Sequence, residues 1–115
     1  MMLTDRFSVV VTYVDGETVF VVRGEVDAAT APTLRAAVEA IGAVDVRLVF
    51  DLAEVTFMDS SGLSVIAQTL RRSQHSSGSS LCVRNPPAQV RRLLVVAGLD
   101  PFVTIDLNDG GQRAI

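Results

Sequence analysis

The feature that most limits the folds open to this chain is a short, almost unbroken apolar run near its centre. Residues Val46–Leu52 read VRLVFDL. A run of this length is typical of a strand in the middle of a sheet, with packed neighbours on both sides. A chain of 115 residues can bury one such core and is too short for two. The sequence therefore predicts a single α/β domain built around this strand.

Strand patterns also open the chain. Apolar residues recur with period two at Phe7, Val9, Val11 and Tyr13. The segment runs on to Asp15-Gly16, after which Thr18–Arg23 resumes a β-branched pattern. Two such segments joined by Asp-Gly predict a hairpin. Gly24-Glu25-Val26-Asp27 is expected to break the second strand, and residues Ala53–Asp59 are expected to form a loop after the central strand.

Helical spacing of apolar residues recurs between the predicted strands. Each helical segment begins at a capping or proline signal, as helix starts usually do. The predicted helices occupy three segments: Thr30–Gly42, Ser60–Leu70 and Pro86–Gly98. Gly98 suits a left-handed cap at the end of the third helix. Leu81–Arg84 and Phe102–Ile105 predict two further short strands, and Gln74–Ser80 a polar connector.

The predicted order of elements is β-β-α-β-α-β-α-β. Strands joined through helices are expected to be parallel, with right-handed crossovers. The predicted fold is a small mixed β-sheet with helices packed mainly on one face. We expect the domain to span residues 1–108, and residues 109–115 to form a short tail that is disordered or carries one extra turn.

Composition excludes several classes of function. The net charge is −3 and all ten basic residues are arginine, so neither a basic nucleic-acid face nor lysine chemistry is expected. One Cys and one His are too few for a zinc site, and Cys82 is expected to be a small core residue. No signal peptide or stretch of roughly 20 apolar residues occurs, which predicts a cytoplasmic protein. No cofactor or metal is predicted.

The most informative motif is Asp59-Ser60-Ser61-Gly62, which follows the central strand and opens the second predicted helix. Unpaired backbone N–H groups and the positive end of the helix dipole favour an anion at such a place. A phosphate ester on Ser60 would add about 1.5 to 2 negative charges beside Asp59, where a partner would have to desolvate them. Ser60 is therefore the candidate for modification.

At this point the sequence closely resembles the STAS family, and within it the bacterial anti-sigma factor antagonists. Three blocks carry the resemblance: Gly24–Asp27, Phe57–Leu63 and Pro87–Leu99. The family's phosphoacceptor is the first Ser after the Asp, which is Ser60 here. The position after Leu63 is commonly Gly in these proteins but is Ser64 in this chain. That side chain is a candidate for altering the choice of partner.

The resemblance implies a partner switch in transcription regulation and stress response. In that family the unphosphorylated antagonist binds an anti-sigma factor that is also a GHKL-type serine kinase, and so frees the sigma factor. Phosphorylation on Ser60 would break the complex, and a PP2C-type phosphatase would restore it. The resemblance implies no enzymatic activity, and a weak homodimer is left open. The implied partner-binding residues are Glu25, Asp27, Asp59, Ser60, Ser61, Gly62 and Ser64.

Plainer interpretations stand beside these. Ser60 or Ser61 is expected to be the N-cap of the second helix, which is compatible with modification of Ser60. Asp59 is either a contact residue or a partner of the helix dipole. Gly62 is either a turn residue or a means of keeping the helix start bare. Glu25 and Asp27 would, without the resemblance, be interpreted only as strand-exit and cap residues.

Two alternative functions compete with this interpretation. A hydrolase would need His75 near Ser60, but the predicted helix separates them by roughly 20 Å and no G-x-S-x-G elbow exists. The stronger alternative is a STAS subunit of a lipid-transport or stress-sensing complex that acts as a protein-interaction module. The intact block at Asp59–Gly62 favours the sigma-regulatory branch, since the other branches need no phosphoacceptor there.

Overall fold

The structure is a computed structural model that describes residues 7–41, 47–74 and 80–107. Five strands alternate with three α-helices and one 3₁₀ turn, in the order predicted from the sequence. The strands are β1 (Ser8–Val14), β2 (Glu17–Val26), β3 (Arg47–Met58), β4 (Ser80–Arg84) and β5 (Thr104–Asp106). The helices are α1 (Ala31–Glu39), α2 (Ser60–Gln74) and α3 (Ala88–Val96), and the 3₁₀ turn is Asp100–Phe102.

The strands form one mixed sheet in the order β1-β2-β3-β4-β5. β1 and β2 are antiparallel, and every later pair is parallel. Asp15 and Gly16 join the first two strands with positive φ angles of 50° and 79°. Both central residues of a type I′ turn need such angles, which explains why Asp-Gly occurs there. The hairpin and the mixed sheet are confirmed.

One face of the sheet carries the main core. Phe20 and Phe50 lie on adjacent strands, with ring centroids 5.5 Å apart, and both are fully buried. The apolar stripe of each helix packs against this face. The buried helix residues in this core are Ala31, Leu34, Val38, Val65, Ile66, Leu70, Val90 and Leu94. Side chains alternate between the faces of a strand, so one side of the sheet receives all of these contacts. The prediction of helices on one face is confirmed.

The opposite face carries a smaller apolar cluster of Val19, Val49 and Cys82. Two ion pairs lie beside this cluster. Glu17 contacts Arg47 at 3.2 Å and Arg84 at 3.3 Å. Burial raises the pKa of the Cys82 thiol, against weaker opposing effects of the neighbouring arginines. The thiol is therefore protonated at neutral pH, which agrees with its expected role as a core residue.

Two predicted strand ends were wrong, and both errors lie at the same edge of the sheet. β2 does not break at Gly24 but continues to Val26 through a register shift, with a φ of +93° at Gly24. Residues of the predicted loop belong to β3, which pairs with β2 as far as Met58. Glycine permits the left-handed conformation that the irregularity requires, so the strand bends instead of ending.

The other predicted boundaries differ less. α3 begins after Pro86-Pro87 as predicted, and Gly98 has the left-handed φ of +74°. The last strand starts later than expected, at Thr104, because Asp100–Phe102 forms the 3₁₀ turn. Gly42, residues 75–79 of the connector and the tail at 109–115 lie outside the described residues. Within residues 7–41, 47–74 and 80–107, no helix is long and apolar enough to cross a membrane.

Candidate functional site

The candidate site lies where the carboxyl ends of β2 and β3 meet. These strands are parallel neighbours, and their last residues, Val26 and Met58, are partners in the register. An aspartate follows each strand: Asp27 after β2 and Asp59 after β3. The Asp59 backbone N–H donates to the Val26 carbonyl oxygen at 3.1 Å. Parallel pairing thus brings two of the sequence blocks, 24–27 and 57–63, to one edge.

Asp59 is the cap of α2. Its carboxylate Oδ1 accepts a hydrogen bond from the Ser61 backbone N–H at 2.8 Å. Its carbonyl oxygen accepts from the N–H groups of Gly62 and Leu63, at 3.1 and 3.2 Å. This is the arrangement of an N-cap, in which the side chain bonds the second residue of the helix. The prediction that Ser60 or Ser61 caps the helix was wrong, because the helix begins one residue earlier than the cap signal suggested.

This cap also changes the expectation about anion binding. The amides of Ser61, Gly62 and Leu63 already donate to Asp59, so the expectation of several unpaired N–H groups is wrong for these three. What remains for an anion at this end is the Ser60 N–H, which has no partner within the described residues, and the positive pole of the helix dipole. This end of the helix therefore does not offer an anion a ready cradle of amides.

Ser60 is exposed at the first position of α2. Its hydroxyl makes no hydrogen bond within the described residues. Ser64 lies one turn further along the same helix and is also exposed. The two hydroxyls share one outward face, since residues four apart lie on the same side of a helix. Ser61 is half-buried between them and its amide is held by the cap.

Gly62 has a role that neither sequence interpretation gave it. It is buried in the first turn of α2 and faces the ends of the two strands. A Cβ added there would lie 2.6 Å from Met58 Cγ and 2.7 Å from Val26 Cγ1. Glycine therefore lets the helix start pack directly on both strand ends. Burial removes Gly62 from the surface that a partner can touch, so its influence on the site is through packing.

Asp27 closes a turn between β2 and α1. Its Oδ1 accepts hydrogen bonds from the backbone N–H groups of Ala29, at 3.0 Å, and Thr30, at 3.1 Å. Thr30 Oγ1 donates to the Glu25 carbonyl oxygen at 2.8 Å and accepts from the Asp27 N–H at 2.9 Å. Thr30 thus precedes α1 as predicted, but its hydroxyl points back to the strand instead of capping the helix.

The predicted contact residues differ in how exposed their side chains are. The exposed side chains are those of Glu25, Ser60 and Ser64, whereas Asp27, Asp59 and Ser61 are half-buried. Asp27 and Asp59 each use a carboxylate oxygen to hold backbone amides. This bonding agrees with the plainer interpretation of Asp27 as a strand-exit residue. Asp59 lies at the helix N-terminus, where a dipole partner was expected, and also caps the helix. A partner would meet the exposed set first.

Sequence reasoning missed two residues at this edge. Gln89, in the first turn of α3, accepts from the Met58 N–H at 3.0 Å and donates to the Met58 carbonyl oxygen at 2.7 Å. β4 pairs with β3 only as far as Asp51, so this amide serves as a substitute strand neighbour at Met58. Phe57 is an exposed aromatic one residue before Met58. A large apolar side chain at a surface suits a protein contact.

Other chemistry is sparse in the described parts of the chain. Residues 7–41, 47–74 and 80–107 contain no group of three or more His, Cys, Asp or Glu side chains arranged to hold a metal ion. His75, the single histidine of the sequence and the base that the hydrolase alternative would need, lies outside the described residues. The arrangement at the site offers an exposed hydroxyl at a helix start that is capped by Asp59.

Comparisons with known proteins agree with this architecture. The family model for the STAS domain matches residues 8–110. An anti-sigma-B factor antagonist of Bacillus subtilis is 30% identical over 90 residues, which cover 78% of this chain and 82% of that protein. One from Listeria monocytogenes is 34% identical over 93 residues, covering 77% and 78%. The crystal structure of an anti-sigma factor antagonist from Mycobacterium paratuberculosis matches with a TM-score of 0.78 and 31% identity, covering 100% of this chain and 98% of that one.

Proposed function

This chain belongs to the STAS domain family, and from that premise we propose that it is an anti-sigma factor antagonist switched off by phosphorylation on Ser60. The unphosphorylated form binds an anti-sigma factor and thereby releases a sigma factor. The partner is a serine kinase of the GHKL type, and a PP2C-type phosphatase reverses the modification. Residues 1–108 form the working domain, and residues 109–115 are a tail.

The observation that carries this proposal is the state of the Ser60 hydroxyl. It is exposed, it makes no hydrogen bond within the described residues, and it lies at the first position of a helix whose start is fixed. A kinase can therefore reach the oxygen without unfolding the domain. Transfer forms an Oγ–phosphorus bond and breaks the bond between the β- and γ-phosphates of ATP, and the hydroxyl proton passes to a base of the kinase.

The rigidity of the helix start explains how a small modification would be read by a partner. Asp59 caps α2, and Gln89 holds Met58 through two hydrogen bonds. A phosphate on Ser60 would therefore be attached to a hydrogen-bonded stretch of backbone, at an exposed position. It adds about 1.5 to 2 negative charges to a surface that already carries Asp59 and Glu25. An interface that buries this surface would lose affinity through desolvation and repulsion.

The exposed residues define the surface proposed for the anti-sigma factor: Glu25, Phe57, Ser60 and Ser64. Phe57 supplies apolar area, and Glu25 and Ser64 add polar groups that can hydrogen-bond beside the acceptor, Ser60. Protein interfaces commonly combine an aromatic anchor with a polar rim. The protein acts as a binding module and a kinase substrate, not as an enzyme, and it acts in the cytoplasm.

The test is to capture partners from the native cell with the wild type, Ser60→Ala and Ser60→Asp as baits. We expect the wild type and Ser60→Ala to recover a GHKL-type kinase and Ser60→Asp to recover little of it. The recovered kinase, incubated with ATP, should add phosphate to Ser60 and none to the Ser60→Ala protein. Mass mapping of the modified peptide locates the phosphate.

Ser64→Ala is the matched control, since it removes a hydroxyl from the same helix face one turn away. It should still accept phosphate on Ser60. Phosphate found on Ser61 or Ser64 alone would contradict the assignment of the acceptor. Capture of a lipid-transport ATPase or of stress-sensing scaffold proteins, with no kinase, would favour the alternative of a different interaction module.

A further inference from the structure

The outer edge of β1 has no strand partner in the part of the chain that the structure describes. β1 lies at one end of the sheet and pairs with β2 alone among the described strands. Its outer side therefore presents backbone N–H and C=O groups with no ladder partner in residues 7–41, 47–74 and 80–107. Such an edge is a template for another strand, and proteins usually protect it with charges, proline, a bulge or a very short strand.

β1 carries none of these protections. Its sequence, SVVVTYV, has no charged residue and no proline. The pairing with β2 runs from Ser8 to Val14 without a register shift, so no bulge bends the strand away. The strand at the other end of the sheet differs, because β5 has only three residues and ends on the charged Asp106. The contrast makes β1 the edge suited to recruiting another strand.

The exposed side chains of β1 are largely apolar. Val10 is 53% exposed, Tyr13 71% and Val14 54%. We propose that β1 binds β1 of a second copy of this chain in antiparallel orientation, which joins the two five-stranded sheets into one. The proposal does not rest on the function proposed above. The dimer would be weak, because one strand edge buries less surface than a standard stable interface.

A second copy fits this edge because the strand is complementary to itself. Antiparallel pairing centred on Val11 places Val10 opposite Thr12, Val9 opposite Tyr13 and Ser8 opposite Val14. Each cross-strand pair joins uncharged side chains, and two of the three join β-branched or aromatic ones, which stabilise antiparallel sheets. The chain has a net charge of −3, so an uncharged edge is where two copies repel each other least.

The geometry closes at two copies and leaves the candidate site open. The same surface acts on both sides of a twofold axis, so pairing ends with a dimer and does not continue into a filament. β2 separates β1 from β3, which leads into the helix that carries Ser60. A dimer built on β1 would thus present two Ser60 acceptors, one in each half of the joined sheet and both away from the β1–β1 contact.

The test compares the full-length wild type with Val10→Lys in sedimentation-equilibrium ultracentrifugation over a wide concentration range. A lysine on an edge strand disfavours strand pairing. We expect the wild-type mass to rise towards that of a dimer, and Val10→Lys to raise the dimer dissociation constant by about tenfold or more. Val96→Lys is the matched control, because Val96 is 81% exposed on α3 and should leave the dissociation constant unchanged.

Hydrogen exchange locates the interface independently. Amides of Ser8–Val14 should exchange more slowly as the protein concentration rises, and this change should vanish in Val10→Lys. Circular dichroism and a thermal melt check that both variants fold. A wild type that stays monomeric at the highest concentration would overturn the proposal. So would a dimer that survives Val10→Lys, or one that Val96→Lys disrupts to the same extent.

Discussion

The ends of β2 and β3 lie side by side at one edge of the sheet, and each leads through an aspartate into a helix, yet they differ in how their polar groups are used. After β2, Asp27 and Thr30 bond to each other's backbone and to that of Glu25, which closes the turn. After β3, Asp59 caps α2 directly and leaves the hydroxyl of Ser60 without a hydrogen bond in the described residues.

The difference shows how one edge can combine stability with an accessible group. At the β2 end a hydroxyl contributes to the fold, so modifying it would cost structure. At the β3 end the carboxylate of Asp59 stabilises the helix start. The neighbouring Ser60 hydroxyl has no hydrogen bond in the described residues, so modifying it would break none of those bonds. The net contribution of one hydrogen bond to stability is about 1 kcal/mol. Removal of the Thr30 hydroxyl and removal of the Ser60 hydroxyl should therefore change the free energy of unfolding by measurably different amounts.

The largest effect is expected where both ends are disturbed at once. Gly62→Val puts a branched side chain against Met58 and Val26, whose nearest atoms would lie within 2.7 Å of the new Cβ. Overpacking of this kind costs about 1–3 kcal/mol, and a branched residue at so close a contact should reach about 3 kcal/mol. Urea unfolding of the variant measures the loss as a change in midpoint.

Ser64→Val is the control for Gly62→Val. It places the same side chain in the same helix, but at an exposed position. Serine and valine have similar helix propensities, so its cost should stay within about 0.5 kcal/mol. Equal losses for the two variants would show that packing on the strand ends does not explain why glycine occupies position 62.

A smaller effect is expected where only the β3 end is disturbed. Gln89→Ala removes both hydrogen bonds to Met58 and leaves its backbone N–H and C=O unpaired on that side. At about 1 kcal/mol for each bond, the free energy of unfolding should fall by about 2 kcal/mol. Hydrogen exchange should also become faster at Met58 while the amides around Asp27 keep their protection.

Gln68→Ala is the matched substitution for Gln89→Ala. The Gln68 amide accepts one exposed hydrogen bond, from Arg35 Nε at 3.0 Å. Water can replace that bond, so the loss should stay within about 0.5 kcal/mol. If Gln89→Ala lowered the free energy of unfolding as little as Gln68→Ala, the two hydrogen bonds from Gln89 to Met58 would not stabilise the end of β3.

The sequence allowed the fold to be predicted because its signals are local. A hairpin is specified by Asp15-Gly16, the central strand by the apolar run in Val46–Leu52, and a helix start by Pro86-Pro87. Each signal occupies only a few consecutive residues. The lengths of β2 and β3 could not be predicted in the same way. Their last residues are strand only because each pairs with the other, and that pairing joins Val26 to Met58, which are far apart in sequence.

The candidate site was predictable in its residues but not in their roles. The motif located Asp59 and Ser60 at a helix start, but whether Asp59 or Ser60 caps the helix depends on a boundary of one residue. Gln89 has no local signal, since a glutamine in the first turn of a helix is ordinary and Met58 lies 31 residues away. The roles of these residues depend on contacts in the folded structure, which the local sequence pattern does not specify.

The smallest effect should come from the acceptor itself, and it is the sharpest test of the comparison. Ser60→Ala removes a hydroxyl without a partner in the described residues, so stability should change by no more than about 0.5 kcal/mol. Thr30→Ala removes a part-buried hydrogen bond from the Asp27 N–H and an exposed one to the Glu25 carbonyl oxygen. Water can replace the exposed bond, so the loss should be about 1 kcal/mol. Urea unfolding of both variants measures the difference. A Ser60→Ala loss equal to that of Thr30→Ala would mean that the Ser60 hydroxyl supports the fold, and a hydroxyl with that role is poorly placed to be a switch.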